Sequence, residues 1–194
     1  MLLVALAVCS ASLAAPVPKD PPKERSYYPT ALGTKWAYSL EGEKEIAIEV
    51  EITEVAVKGG GRTVTLSQTA GEKHRDYPET IRVDAKGVFL LSAADKEIDP
   101  PRLDLRPKPT AGDEWEESFT WKGTQYTCAT TVGKEEDVTV PAGKFAALPH
   151  TQSYGKVMPQ VWTGWYAPGV GKVRFRDYEG KVFVLSKYTP GKDK

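Results

Sequence analysis

Ile46, Ile48, Val50 and Ile52 occupy one parity of the chain, while Glu45, Glu49 and Glu51 occupy the other. A side-chain period of two marks a strand with one face buried and one face wet. After Thr53 and Glu54 the apolar set resumes at Val55 and Val57, on the opposite parity. A regular strand cannot do this, because a one-residue slip turns every later side chain to the other face. The spacing predicts a β-bulge near Thr53 and Glu54, bending a long strand. Long bent strands suit curved sheets. The expected fold is therefore all-β, a curved antiparallel sheet forming an open or partly closed barrel.

The rest of the chain repeats the pattern in shorter runs. Trp36, Tyr38 and Leu40 alternate with small or polar neighbours, and Lys58-Gly59-Gly60-Gly61-Arg62 is a turn that returns the chain through Val64 and Leu66. Further strands are expected at residues 80–85, 88–92, 114–121, 124–132, 136–140, 145–153, 161–166, 172–178 and 181–188. The one helical expectation is a short helix near residues 93–98. Residues 99–110, with Pro100, Pro101, Pro107 and Pro109, read as a proline-rich connection.

Two segments resemble each other in order. Pro29-Thr30-Ala31 and Pro109-Thr110-Ala111 each lead into Gly-x-x-Trp-x-x-Ser-apolar, and Val88-Phe89-Leu90-Leu91-Ser92 parallels Val182-Phe183-Val184-Leu185-Ser186. The expectation is two pseudo-repeated halves, residues 30–98 and 109–190, the second longer by about one hairpin. Gly33 and Gly112 would then open equivalent strands, and Trp36 and Trp115 would plug equivalent parts of the core.

The first residues read as a targeting unit. An apolar run from Met1 to Val8 is followed by Cys9-Ser10-Ala11-Ser12-Leu13-Ala14, with small residues placed for a cut after Ala14. Residues 1–14 are thus expected to be a signal peptide, residues 15–29 a proline-rich tether, and residues 30–190 one β domain. No basic residue precedes the apolar run, and a start upstream of Met1 would account for that. The expected location is exported, periplasmic or secreted. Leu6-Ala7-Val8-Cys9 also resembles a lipobox, so the alternative is a lipid anchor on Cys9, the one route by which a membrane would become a partner. Removing the leader leaves Cys128 alone, which excludes an intramolecular disulfide. Cys128 is in phase with Tyr126, Thr130 and Val132 and is expected to point inward as a small filler.

Chemistry-bearing residues are scattered. The 26 basic and 26 acidic side chains balance, which argues against nucleic acid as a partner. His74 and His150 are the only histidines, far apart and without ligand spacing for zinc, and read as surface or loop residues. The acidic pairs at Glu116-Glu117 and Glu135-Glu136 point to opposite faces of a strand and cannot share a cleft. No nucleophile elbow, phosphate loop or dinucleotide fingerprint occurs. The expectation is no catalytic residues, no metal and no cofactor. Aromatic and glycine residues, by contrast, concentrate in Val161-Trp162-Thr163-Gly164-Trp165-Tyr166-Ala167-Pro168-Gly169-Val170-Gly171. Trp162 and Tyr166 share one face of a strand and Trp165 takes the other. These three are the candidate ligand-binding residues, as a stacking surface for sugars or a lip for acyl chains. Closing the end of a core is the competing structural role.

The opening from Tyr28-Pro29 to Trp36-Ala37-Tyr38, the run Val138-Thr139-Val140-Pro141-Ala142-Gly143-Lys144-Phe145, and Trp165-Tyr166-Ala167-Pro168-Gly169-Val170-Gly171-Lys172-Val173 resemble the TapB-like group of β-rich secreted bacterial proteins, a domain of unknown function. The resemblance spans most of residues 27–188. It implies a curved antiparallel sheet similar to periplasmic lipoprotein-carrier folds, and it implies no enzymatic activity. The functional expectation is a non-catalytic envelope protein whose concave sheet binds an apolar or amphipathic ligand, such as a lipid, or an envelope protein partner. The alternatives are an envelope-glycan-binding protein or hydrolase using Trp162, Trp165 and Tyr166, and a structural or adhesive module.

Overall fold

The computed structural model describes residues 26–70, 75–155 and 158–192. The expected signal peptide, Cys9, His74 and most of the tether lie outside them. The described chain is all strand and turn. The first strands are β1 (Lys35–Leu40), β2 (Ile46–Lys58), β3 (Gly61–Ala70), the two-residue β4 (Arg75–Asp76), β5 (Glu79–Asp84), β6 (Gly87–Ala93) and β7 (Lys96–Leu105). There follow β8 (Glu114–Trp121), β9 (Thr124–Val132), β10 (Glu136–Val140), β11 (Gly143–Tyr154), β12 (Met158–Ala167), β13 (Gly171–Arg176) and β14 (Val182–Thr189).

Antiparallel pairing runs β11-β12-β13-β14-β1-β2-β3-β5-β6-β7-β8-β9, and β9 then pairs with β11. The sheet is a closed barrel of twelve staves. Closure leaves no edge among them, a common route by which all-β chains avoid open edges. β10 stands outside the circle. It pairs with residues 143–147 of β11 and folds over β13 and β14, where Ala142 N–H donates to the Leu185 carbonyl at 3.0 Å.

The bulge in β2 is where the sequence places it. Ile52 pairs with Leu66 and Glu54 with Thr65, leaving Thr53 as the extra residue. Ile52 is fully buried before the bulge and Val55 is half-buried after it, opposite fully buried Val64 of β3, while Val57 near the strand end is 76% exposed. Two other expectations are corrected. Residues 93–98 form a hairpin, with Ala94 and Asp95 both at positive φ, and no helix. A tight turn between strands of right-handed twist needs such angles, and an apolar run alone does not reveal it. The proline-rich stretch is also not all connection, because β7 runs through Pro100 and Pro101 to Leu105.

Those prolines shape the seam. β7 pairs with β8 only at Ile98 and Asp99. Proline has no N–H to offer, so the ladder stops there. Side chains of β8 take over: the Glu117 carboxylate accepts the Leu103 N–H at 2.6 Å, and the Trp115 indole donates to the Leu103 carbonyl at 3.2 Å.

One end of the barrel is filled by chain. Tyr28 packs 6.4 Å from Trp36, ring to ring, the Gly169 N–H donates to the Ser26 carbonyl, and the Trp36 indole donates to the Val170 carbonyl at 2.7 Å. Residues 26–29, read from sequence as tether, thus contribute to this plug. At Gly171 a Cβ would meet Pro29 at 3.3 Å, with φ at +88°, so both space and backbone angle call for glycine.

Six staves come from each side of the 106–113 connection. Both openings make the same contacts: Gly33 donates to the Ile52 carbonyl and Ile52 to Thr34, while Gly112 donates to the Val132 carbonyl and Val132 to Asp113. The later match is not positioned alike, since residues 88–92 lie on the fifth stave of one set and residues 182–186 on the sixth of the other. Trp36 and Trp115 differ too. Trp36 is buried in the plug, and half-buried Trp115 bridges the seam.

The Glu117 bridge should be measurable. Glu117→Ala leaves a half-buried N–H without its acceptor and should lower the unfolding free energy by about 1–3 kcal/mol. Glu117→Gln keeps an acceptor oxygen and should lose less. Equal urea midpoints for the wild type and the alanine variant would show that the seam does not depend on this side chain.

Candidate functional site

Opposite the plug, the lumen is not filled. A cavity of about 340 Å³ lies among inward side chains of β2, β3, β5–β9 and β11–β13. Its wall is largely aromatic: Phe119 and Trp121 on β8, Tyr126 on β9, Tyr154 on β11, Trp162 and Tyr166 on β12, and Phe175 on β13. The rings pack against one another, with Phe119 stacked on Tyr126 at 5.6 Å and Trp162 on Phe175 at 6.5 Å.

Of the three candidate residues, Trp162 and Tyr166 line this cavity and Trp165 does not. The alternation of β12 sends Trp165 to the outer face. There its indole donates to the Glu136 carboxylate of β10, and the Arg174 guanidinium lies 5.0 Å from its ring. Trp165 fastens the outer strand and is absent from the cavity wall.

Four charged side chains share the lumen: Glu79 on β5, Arg102 and Asp104 on β7, and Lys172 on β13. Their exposure is to the cavity. Arg102 Nε donates to Asp104 Oδ1 at 2.7 Å, its terminal nitrogen donates to the Tyr154 hydroxyl, and the guanidinium lies 5.6 Å from the Phe119 ring. Burial pushes the Glu79 carboxyl up, against the pull of Lys172 and Arg102. Burial also pushes the Lys172 ammonium down, against Glu79 and Asp104.

None of the four stands out in the sequence. Arg102 and Asp104 lie in the stretch whose prolines suggest a connection. Lys172 faces inward because Val173 is the extra residue of a bulge: Trp165 pairs with Arg174 and Tyr166 with Lys172. The bulge breaks the alternation that would otherwise be read through Val173 and Phe175. The Arg-x-Asp spacing, two charges on one face of a strand, was the one signal present.

Cys128 is buried on β9, as its phase implies, and burial raises its thiol pKa. Among the described residues no three His, Cys, Asp or Glu side chains gather as a metal site requires.

His150 corrects its sequence reading as a surface or loop residue. It lies on β11, 1% exposed, edge-on to Tyr166 at 5.3 Å and to Trp115 at 6.3 Å. Neither ring nitrogen has a hydrogen-bond partner among the described residues. Burial holds its pKa down at about 4, with Asp104 and Asp113 pulling weakly the other way.

No family model matches the chain, and no curated protein matches it. The TapB-like resemblance therefore rests on the sequence motifs alone. Solved structures do match. The chain is similar to a candidate lipoprotein from Parabacteroides distasonis ATCC 8503, with a TM-score of 0.53 and 18% identity over 86% of this chain and 100% of that one. It is also similar to a candidate exported protein with a YmcC-like fold from Bacteroides fragilis NCTC 9343, with a TM-score of 0.48 and 14% identity over 84% and 98%. At 18% identity the first likeness speaks for the fold.

His150 generates a pH dependence. Its folded pKa lies below the ordinary value of 6.5, so the unfolded chain binds the proton more readily. The stability it permits is complete above pH 6.5 and declines as pH falls toward about 4, by about 3 kcal/mol in all. His150→Leu should remove this component. The difference in unfolding free energy between wild type and variant, followed from pH 7 to 4, should change by roughly that amount. A flat difference would show that the imidazole is not buried neutral.

Proposed function

We propose that this protein is an exported envelope barrel that binds a small amphipathic ligand in its lumen and performs no chemistry on it. The observation that carries the reading is the cavity of about 340 Å³, aromatic on its walls, charged in places and backed by the plug of Tyr28 and Trp36. Ligand sites have this character: mostly apolar, concave, with a few polar groups that fix orientation. Export is supported by the apolar run from Met1 to Val8 and the small residues after it, with Cys9 as the alternative anchor. A structure of similar fold is described as a candidate lipoprotein, which fits the same destination.

A carboxylate pair favours a second reading. Glu79 and Asp104 line one cavity beside Trp162 and Tyr166, as a hydrolase acting on glycan ends would require. One feature weighs against it: the Asp104 carboxylate is held by the Arg102 guanidinium at 2.7 Å. Glycoside turnover lost in Glu79→Gln would favour the hydrolase.

The carrier reading is tested with an environment-sensitive naphthylamine probe and native mass spectrometry of the purified protein. The probe should bind, and Trp162→Ala should weaken it by about tenfold or more through loss of ring contact. Trp165→Phe, on the outer face, should leave the affinity unchanged. Protein that is free of bound lipid and has no affinity for the probe would remove the reading.

A further inference from the structure

The four lumen charges are not equally provided for. Arg102 and Asp104 are joined at 2.7 Å, and the guanidinium also donates to Tyr154. Among the described residues no hydrogen bond or ion pair reaches the Lys172 ammonium or the Glu79 carboxylate. Lys172 sits on ring faces instead, with Nζ 5.0 Å from the Trp162 centroid and 4.8 Å from that of Phe175. Cation–π contact offsets part of its desolvation but supplies no acceptor for its N–H bonds. Glu79 has no hydrogen bond either, only the through-space pull of Lys172 and Arg102. A charge held in a sheltered site without hydrogen bonds is costly unless a partner arrives.

The signs limit what that partner can be. Two cations and two anions line the lumen, so it is neutral as it stands. A ligand with a single charge would pair one of the two groups that lack a hydrogen bond, leave the other without one and give the site a net charge. A ligand bearing one charge of each sign would pair both and keep the site neutral.

We propose that the lumen selects a small zwitterion, its anionic group on Lys172, its ammonium on Glu79 and its apolar remainder against the aromatic wall. This rests on the lumen-binding reading above. The carboxylate and ammonium of an amphipathic amino acid, and the phosphate and ammonium of a phospholipid head, share this chemistry.

The test is a tryptophan-fluorescence titration of the full chain with matched ten-carbon probes. 2-Aminodecanoic acid and decanoyl lysophosphatidylethanolamine are the zwitterions; decanoate, decylammonium and decyl glucoside are the controls. At least one zwitterion should bind about tenfold more tightly than every control. Which zwitterion binds tighter identifies the source. Lys172→Gln and Glu79→Gln should each abolish the preference while retaining decyl glucoside binding, which reports an intact lumen. A control binding as tightly as both zwitterions overturns the inference and leaves the lumen reading standing. No binding by any probe overturns both. The wild-type series decides by itself, so a variant that fails to fold does not rescue the proposal.

Discussion

Besides the β13–β14 pairing of three residue pairs, the twelve-stave ladder depends on two thin joints, the first between β9 and β11 and the second between β7 and β8. The first holds four residue pairs and the second only two. Were either to open, two strand edges would be exposed together with the lumen behind them. The second joint holds because Glu117 and Trp115 supply the hydrogen bonds that Pro100 and Pro101 interrupt. Closure is thus achieved partly by side chains.

Closure also creates the problem of the interior. Eight staves give a lumen that side chains can fill, and twelve give a wider one. The chain answers differently at its two ends. At one end large aromatics and a returning segment fill the space, with the Trp36 indole tied to Val170 and the Tyr38 hydroxyl to Lys172 by main-chain carbonyls. At the other end space remains, and charged side chains reach into it. Buried His150 and Tyr166 lie near one another on adjacent staves. Polar groups this far inside are costly unless paired or neutral: Arg102 and Asp104 are paired, burial keeps His150 neutral, and Lys172 and Glu79 stand out as charges without a hydrogen bond.

Much of the fold was legible from alternation. The β2 bulge, the strand boundaries of the second half, the inward Cys128 and the opposite faces of Trp162 and Trp165 all follow from a period of two. The candidate site was legible only in part. Trp162 and Tyr166 were visible because aromatics cluster there. Glu79 and Lys172 were not, because a single charged residue in a strand looks like any solvated position until the sheet closes over it.

The sequence alone therefore determined that strands form, where one bends, and which neighbours share a face, because these follow from local sterics and the pleat. It did not determine which face becomes a lumen. That depends on β9 finding β11, β7 finding β8 and, from opposite ends of the described chain, β1 finding β14. It depends also on the bulge at Val173, which turns Lys172 inward. Only after those pairings form are Glu79, Arg102, Asp104 and Lys172 drawn from three separate staves into one cavity, and only there do their charges matter to each other.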